Sequence, residues 1–272
     1  MSSEFSKPDL SPSEQEFIRD AFGFLERPNF LLRVANAVGR PVELALNALP
    51  EKSQDLIHRA TEAALQKGLS LVTRTLPQSK PQANLADTVA RTKLTSRLHS
   101  LATFGLGAAG GFFGLASLPV ELPLTTSVML RAIASIAQDF GMDLNDPTVQ
   151  LECLYILSLG STHEGEPHRT AYWTSRGIFS KMIGDALEMK TAPHMLRFLT
   201  AVASKFEVVV SEKVAAEALP VIGAVGGGAI NAVFTEYFSQ AARFHFGLRA
   251  LENRHGRETI ENCYYTNVRN IE

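Results

Sequence analysis

Cysteine is nearly absent from this 272-residue chain: Cys153 and Cys263 are the only two, and neither has a partner at a metal-ligand spacing. That excludes a disulfide scaffold and a cysteine zinc site, and it fits a reducing cytosol. An excess of one charge is lacking too. Lys and Arg number 26 against 28 Asp and Glu, a formal net charge of −2, which speaks against a chain that coats nucleic acid or neutralises phosphates. The N-terminal MSSEFSKPDLSPSEQEF has neither the basic start nor the apolar stretch of a signal peptide, so residues 1–12 read as a disordered lead-in. Strict apolar/polar alternation, the mark of a half-buried strand, is almost missing. So are the phosphate loop, the dinucleotide GxGxxG after a strand and the GxSxG nucleophile turn. No cofactor is expected.

Helical periodicity is what remains, and it predicts an all-α fold: one helical domain over residues 13–272, with amphipathic helices around two central glycine-rich apolar hairpins. Ser13 with Glu16 resembles a capping box that opens a helix through Phe17, Ile18, Phe22 and Leu25. Ser53 is expected to cap the clearest amphipathic helix, with Ile57, Ala60, Ala64 and Leu71 on one face. Residues 77–85, PQSKPQANL, hold two prolines and read as a linker. Asn145-Asp146-Pro147 predicts a stop and restart, and the tail from His255 follows no clear period.

Two segments stand out. Residues 101–120 carry no charge until Glu121 and hold five glycines, and residues 218–235 are uncharged with four. Both reach the length of a membrane span, but glycine and proline make insertion marginal. Gly107 with Gly111, Gly110 with Gly114, and Gly223 with Gly227 each stand four apart, so on a helix they form flat strips for close packing. Interior glycine costs up to about 1 kcal/mol against alanine, so the strips imply close contact or conformational change. Two readings follow: helices buried all round, or apolar hairpins that enter a bilayer or line a lipid pocket. Phe112 and Phe113 at the tip are the natural wedge for the second. Arg91, Lys93 and Arg97 precede the first segment and favour anionic headgroups, although a solvated helix face is the plainer account of these charges taken alone.

Charges within apolar surroundings need partners. Glu121, Arg131, Glu236 and Arg243 are the candidates, with Glu121–Arg243 and Arg131–Glu236 the expected pairs across the two hairpins. The other reading lines an internal polar cavity with Glu121, Glu236, Tyr237 and His245, where a hydrolase, peptidase-like or lipid-directed, would find its acid and base. HEGEPH, residues 163–168, superficially resembles a zinc-protease motif, but its histidines are five apart across Gly165 and Pro167, so a polar loop and no metal site is expected.

GAAGGFFGLASLPVELPLTTSVMLRAIASIAQDFG (residues 107–141) and LPVIGAVGGGAINAVFTEYFSQAARFHFGLRALE (residues 219–252) resemble the EcsC family of bacterial proteins, a likeness extending over roughly residues 20–265. The resemblance implies a helical protein, cytoplasmic or peripheral at the inner face of the cytoplasmic membrane, in support of envelope or transport machinery. It carries over no catalytic residue. The expected function is non-enzymatic membrane or hydrophobic-ligand binding. The hydrolase stands as one alternative, and a protein-interaction module pairing through its glycine strips as another.

Overall fold

The computed structural model describes residues 10–26, 30, 33–35, 46–47, 49–72, 84–110, 114–160, 171–189, 192–218 and 223–269. Among them the fold is all-α, without a strand. Nine α-helices are traced: α1 (Pro12–Leu25), α2 (Glu51–Val72), α3 (Leu85–Gly110), α4 (Leu118–Asp139), α5 (Pro147–Tyr155), α6 (Ala171–Met189), α7 (Ala192–Glu217), α8 (Gly223–His255) and α9 (Arg257–Arg269). Two 3-10 segments, Gly114–Ser117 and Ile156–Gly160, lead into α4 and follow α5.

The helix ends follow side-chain chemistry, with corrections to the sequence reading. The capping box of α1 is Ser11 with Glu14, two residues earlier than Ser13 with Glu16, and Leu10 before it is buried. Residues 10–12 therefore belong to the folded body, while 1–9 lie outside the described residues. Ser53 is not a cap: α2 starts at Glu51, and the Ser53 amide already donates to the Pro50 carbonyl at 2.8 Å. Asp146 does cap α5, accepting from the Thr148 amide, with Pro147 in the first turn. The tail is helical as well. Gly256 at φ +84° turns the chain from α8 into α9, a conformation that disfavours a side chain. The linker region falls almost wholly outside the described residues, but Leu85 at its end opens α3 and is buried.

α8, 33 residues long, is the axis of the molecule and packs on α1, α3, α4, α7 and α9. Ile230, Phe234, Tyr237, Phe238, Ala241, Ala242, Phe246 and Leu248 are all buried, as expected of a helix covered nearly all round. Rings from α1 and α7 close on it: Phe24 meets Tyr237 and Phe244, and Phe206 stacks on Phe234. One hydrophobic core runs from Leu10 to Tyr264. Among the described residues only α4 is long and apolar enough to cross a membrane; 67% of its most apolar window is buried, as in the core helix of a globular protein.

The first glycine-rich segment makes the end of α3, a turn and the start of α4; the second opens α8. Gly110 closes α3 and Gly114 opens a 3-10 segment, whereas Gly223 and Gly227 share α8; Gly111 lies outside the described residues. The close approach is between helices: a Cβ on Gly107 would stand 2.4 Å from the Gly227 carbonyl oxygen, so α3 and α8 touch backbone to backbone there.

Candidate functional site

α3 carries two stripes on opposite faces. Thr88, Thr92, Ser96, Thr103 and Gly107 recur at spacings of four and seven, and Leu94, Leu98 and Leu101 at four and three, displaced by about half a turn. An ordinary amphipathic helix would bury the leucines, but here the hydroxyls go inside. Thr92, Ser96 and Thr103 are fully buried and Thr88 nearly so, while Leu94, Leu98 and Leu101 stand 58%, 59% and 69% exposed. Phe104 is also partly exposed at the same end, and Val120 and Leu124 are exposed in the first turns of α4.

The inversion is explained by α8, the most extensive partner of α3. Asn231, Thr235, Ser239 and Arg243 repeat every fourth residue along α8 and form a matching polar stripe. The two helices run antiparallel. Arg243 donates from Nε to Thr92 at 3.0 Å, Ser96 donates to the Glu236 carboxylate, and Thr235 donates to Thr103 at 2.8 Å. Thr103 also donates to the Asn231 carbonyl at 3.3 Å. The seam is not fully satisfied: Ser100 Oγ, Ser239 Oγ, Asn231 Oδ1 and Arg243 Nη2 are buried without a hydrogen-bond partner.

A charged network lies at the glycine end of this seam. Lys213, on the last turns of α7, is wholly buried and reaches Glu121 at 3.0 Å and Glu217 at 2.7 Å. Asn231 and Thr125 donate to the same Glu121 oxygen at 2.6 and 2.8 Å. Burial disfavours the charge on Glu121, but the Lys213 ammonium and these hydrogen bonds outweigh it and hold the carboxyl below its usual range. Glu217 goes the other way, because burial and the Glu121 charge outweigh its share of the lysine. Burial opposes the Lys213 charge too, yet its two carboxylates raise the ammonium.

Both expected cross-hairpin pairs are therefore corrected. Glu121 is matched by Lys213, which sequence reasoning missed, and not by Arg243. Arg243 belongs to the seam, with Nη2 4.0 Å from Glu236 one heptad away on α8. Arg131 is exposed and has no part in it. A signal for Lys213 was present: it follows Phe206, Val209 and Val210 at spacings of seven, four and three, on the stripe that α7 buries.

The internal cavity residues do not converge either. Tyr237 donates to the Leu159 carbonyl at 3.3 Å, and Glu236 belongs to the seam. His245 lies in a separate cluster, 3.0 Å from the Tyr172 hydroxyl through Nδ1. Burial, helped by the Arg176 and Arg249 guanidinium groups, keeps its imidazole neutral. Arg176 pairs there with Glu252, Arg249 with Glu152, and Trp173 and Tyr264 pack alongside. Phe112, Phe113, Gly111 and the HEGEPH loop lie outside the described residues. Among the described ones no group of three His, Cys, Asp or Glu is arranged to hold a metal. Lys93 and Arg97 are exposed, one residue before Leu94 and Leu98, whereas Arg91 reaches Asp139 at 2.9 Å.

Glu212, next to Lys213 on α7, is half-buried, and one of its oxygens has no partner. Burial pushes its pKa up to about 7 from 4.5. Between those values the unfolded chain binds fewer protons at this position than the folded one, so stability falls as pH rises through the window. Glu212→Gln removes this term. Urea denaturation should show the variant gaining on the wild type from pH 4.5 upward and levelling off above pH 7, by up to about 3 kcal/mol. A gap that does not change with pH would contradict this account of Glu212.

The sequence model of the EcsC protein family matches residues 24–251, and this chain belongs to that family. No curated protein and no solved structure matches it.

Proposed function

We propose that this EcsC-family protein is a non-enzymatic, peripheral membrane protein that docks on an anionic bilayer through the outer face of α3. The observation that carries the reading is the inversion of that helix: three leucines on one stripe face water while four hydroxyl residues are buried behind them. Leaving a leucine exposed forgoes about 1.5–3 kcal/mol of burial, and a contiguous apolar stripe on a surface otherwise mixed in charge marks a contact site. The basic flank identifies the occupant. α3 holds Arg91, Lys93 and Arg97 against Asp87, and Lys93 and Arg97 border the stripe, where basic side chains beside apolar surface favour anionic lipid. α3 would lie flat with its leucines in the acyl boundary. A cytoplasmic location at the inner face of the membrane and a supporting role in transport or envelope machinery agree with this reading.

Flotation with phosphatidylcholine vesicles, with and without phosphatidylglycerol, tests it. The wild type should float with the anionic vesicles, less at high salt. Leu98→Asp combined with Leu101→Asp should weaken binding at least about tenfold, since two apolar anchors become charges. Unchanged flotation of that variant, or none by the wild type, would refute the reading.

A further inference from the structure

Resting on the membrane reading, we propose that α3 parts from α8 when it meets the bilayer, so that the α3–α8 seam is a closed form and the lipid-bound form is open. The seam differs from the rest of the packing. What α3 presents to α8 is Thr92, Ser96, Thr103 and Gly107, and what α8 returns is Gly227, Asn231, Thr235 and Arg243. Parting such surfaces lets water replace the hydroxyl and guanidinium hydrogen bonds it breaks. Water also reaches the four polar atoms that the closed form leaves buried without a hydrogen bond, Ser100 Oγ, Ser239 Oγ, Asn231 Oδ1 and Arg243 Nη2.

α3 is placed to move. Among the described residues it packs extensively on two helices, α8 and α4, and its leucine stripe faces away from α8. Lipid that takes the leucines has a differential affinity for a form in which α3 sinks deeper than the body allows, which is what a population shift needs. Once α3 has parted, its hydroxyl face meets the hydrated headgroup layer, while Glu236 and Arg243 stay together on α8. Docking and parting are separable: a flat α3 could bind lipid with the seam intact.

Two variants separate them, both in a Cys263→Ser background so that the fully buried Cys153 is the remaining native thiol. The first is Ser239→Cys, a near-isosteric change at a buried hydroxyl without a partner. Its thiol should react with a water-soluble maleimide at least about tenfold faster with phosphatidylcholine/phosphatidylglycerol vesicles than without, while Cys153 stays protected. The second joins Thr103→Cys with Thr235→Cys, whose hydroxyl oxygens lie 2.8 Å apart, to form a disulfide across the seam. Oxidised, it should float at least about tenfold more weakly than after reduction. If the position-239 thiol stays protected and the oxidised protein floats as well as the reduced, parting is overturned and flat docking stands. If both thiols react, the vesicles unfold the chain and parting is overturned too. If the wild type never floats, the membrane reading itself fails.

Discussion

Lys213→Ala is expected to lower the free energy of unfolding by about 3–5 kcal/mol, the range for removing one member of a buried ion pair and leaving the other uncompensated. The estimate belongs at the upper end because two carboxylates lose the same cation. Glu121 keeps Asn231 and Thr125, but Glu217 keeps no other hydrogen-bond donor among the described contacts. The deficit, read from urea midpoints, should shrink as pH falls, because an uncompensated buried carboxyl has a raised pKa and takes up a proton readily. Joining Lys213→Met with Glu121→Gln and Glu217→Gln should recover much of the loss, since neutral amides and a thioether of similar length fill the space without buried charge. A single-variant deficit below about 1 kcal/mol, the value of an exposed pair, would mean that water reaches Lys213 and that the network is not a core element.

The same residues show how far the sequence could be read. Amphipathic spacing was enough for the all-α class and for buried faces such as Ile57, Ala60 and Ala64 on α2, because hydrophobic burial follows local periodicity. It misled on α3. That helix has a leucine stripe and a hydroxyl stripe of similar regularity, and local pattern favours burying the leucines. The choice is made by the polar stripe Asn231, Thr235, Ser239 and Arg243, more than a hundred residues away on α8, so nothing local signals it. Charge pairing failed for a related reason. Glu121, Arg243 and Glu236 were legible as charges needing partners, but partner identity depends on which helix ends converge. The end of α7 brings Lys213 under Glu121, while Arg243 meets Thr92 in the first third of α3.

Gly107 and Gly227 meet where α3 and α8 pack closely, and two alanine substitutions two residues apart separate helix propensity from that contact. Gly105→Ala should stabilise the protein by up to about 1 kcal/mol, the helix-propensity difference, because nothing lies within 4 Å of where its Cβ would stand. Gly107→Ala receives the same propensity gain yet should destabilise by a net of about 2–4 kcal/mol, as overpacking combines with damage to a charged hydrogen bond. Its Cβ would stand 2.4 Å from the Gly227 carbonyl oxygen and 2.4 Å from Asn231 Nδ2. The carbonyl is fixed in a helix. The Asn231 amide could turn aside only by giving up its 2.6 Å bond to Glu121, so the collision reaches the Lys213 network. Thermal or urea melts of the two variants decide the matter by sign: a Gly107→Ala no less stable than wild type would mean that α3 and α8 do not meet backbone to backbone at this point, and a destabilised Gly105→Ala that the space beside Gly105 is not open.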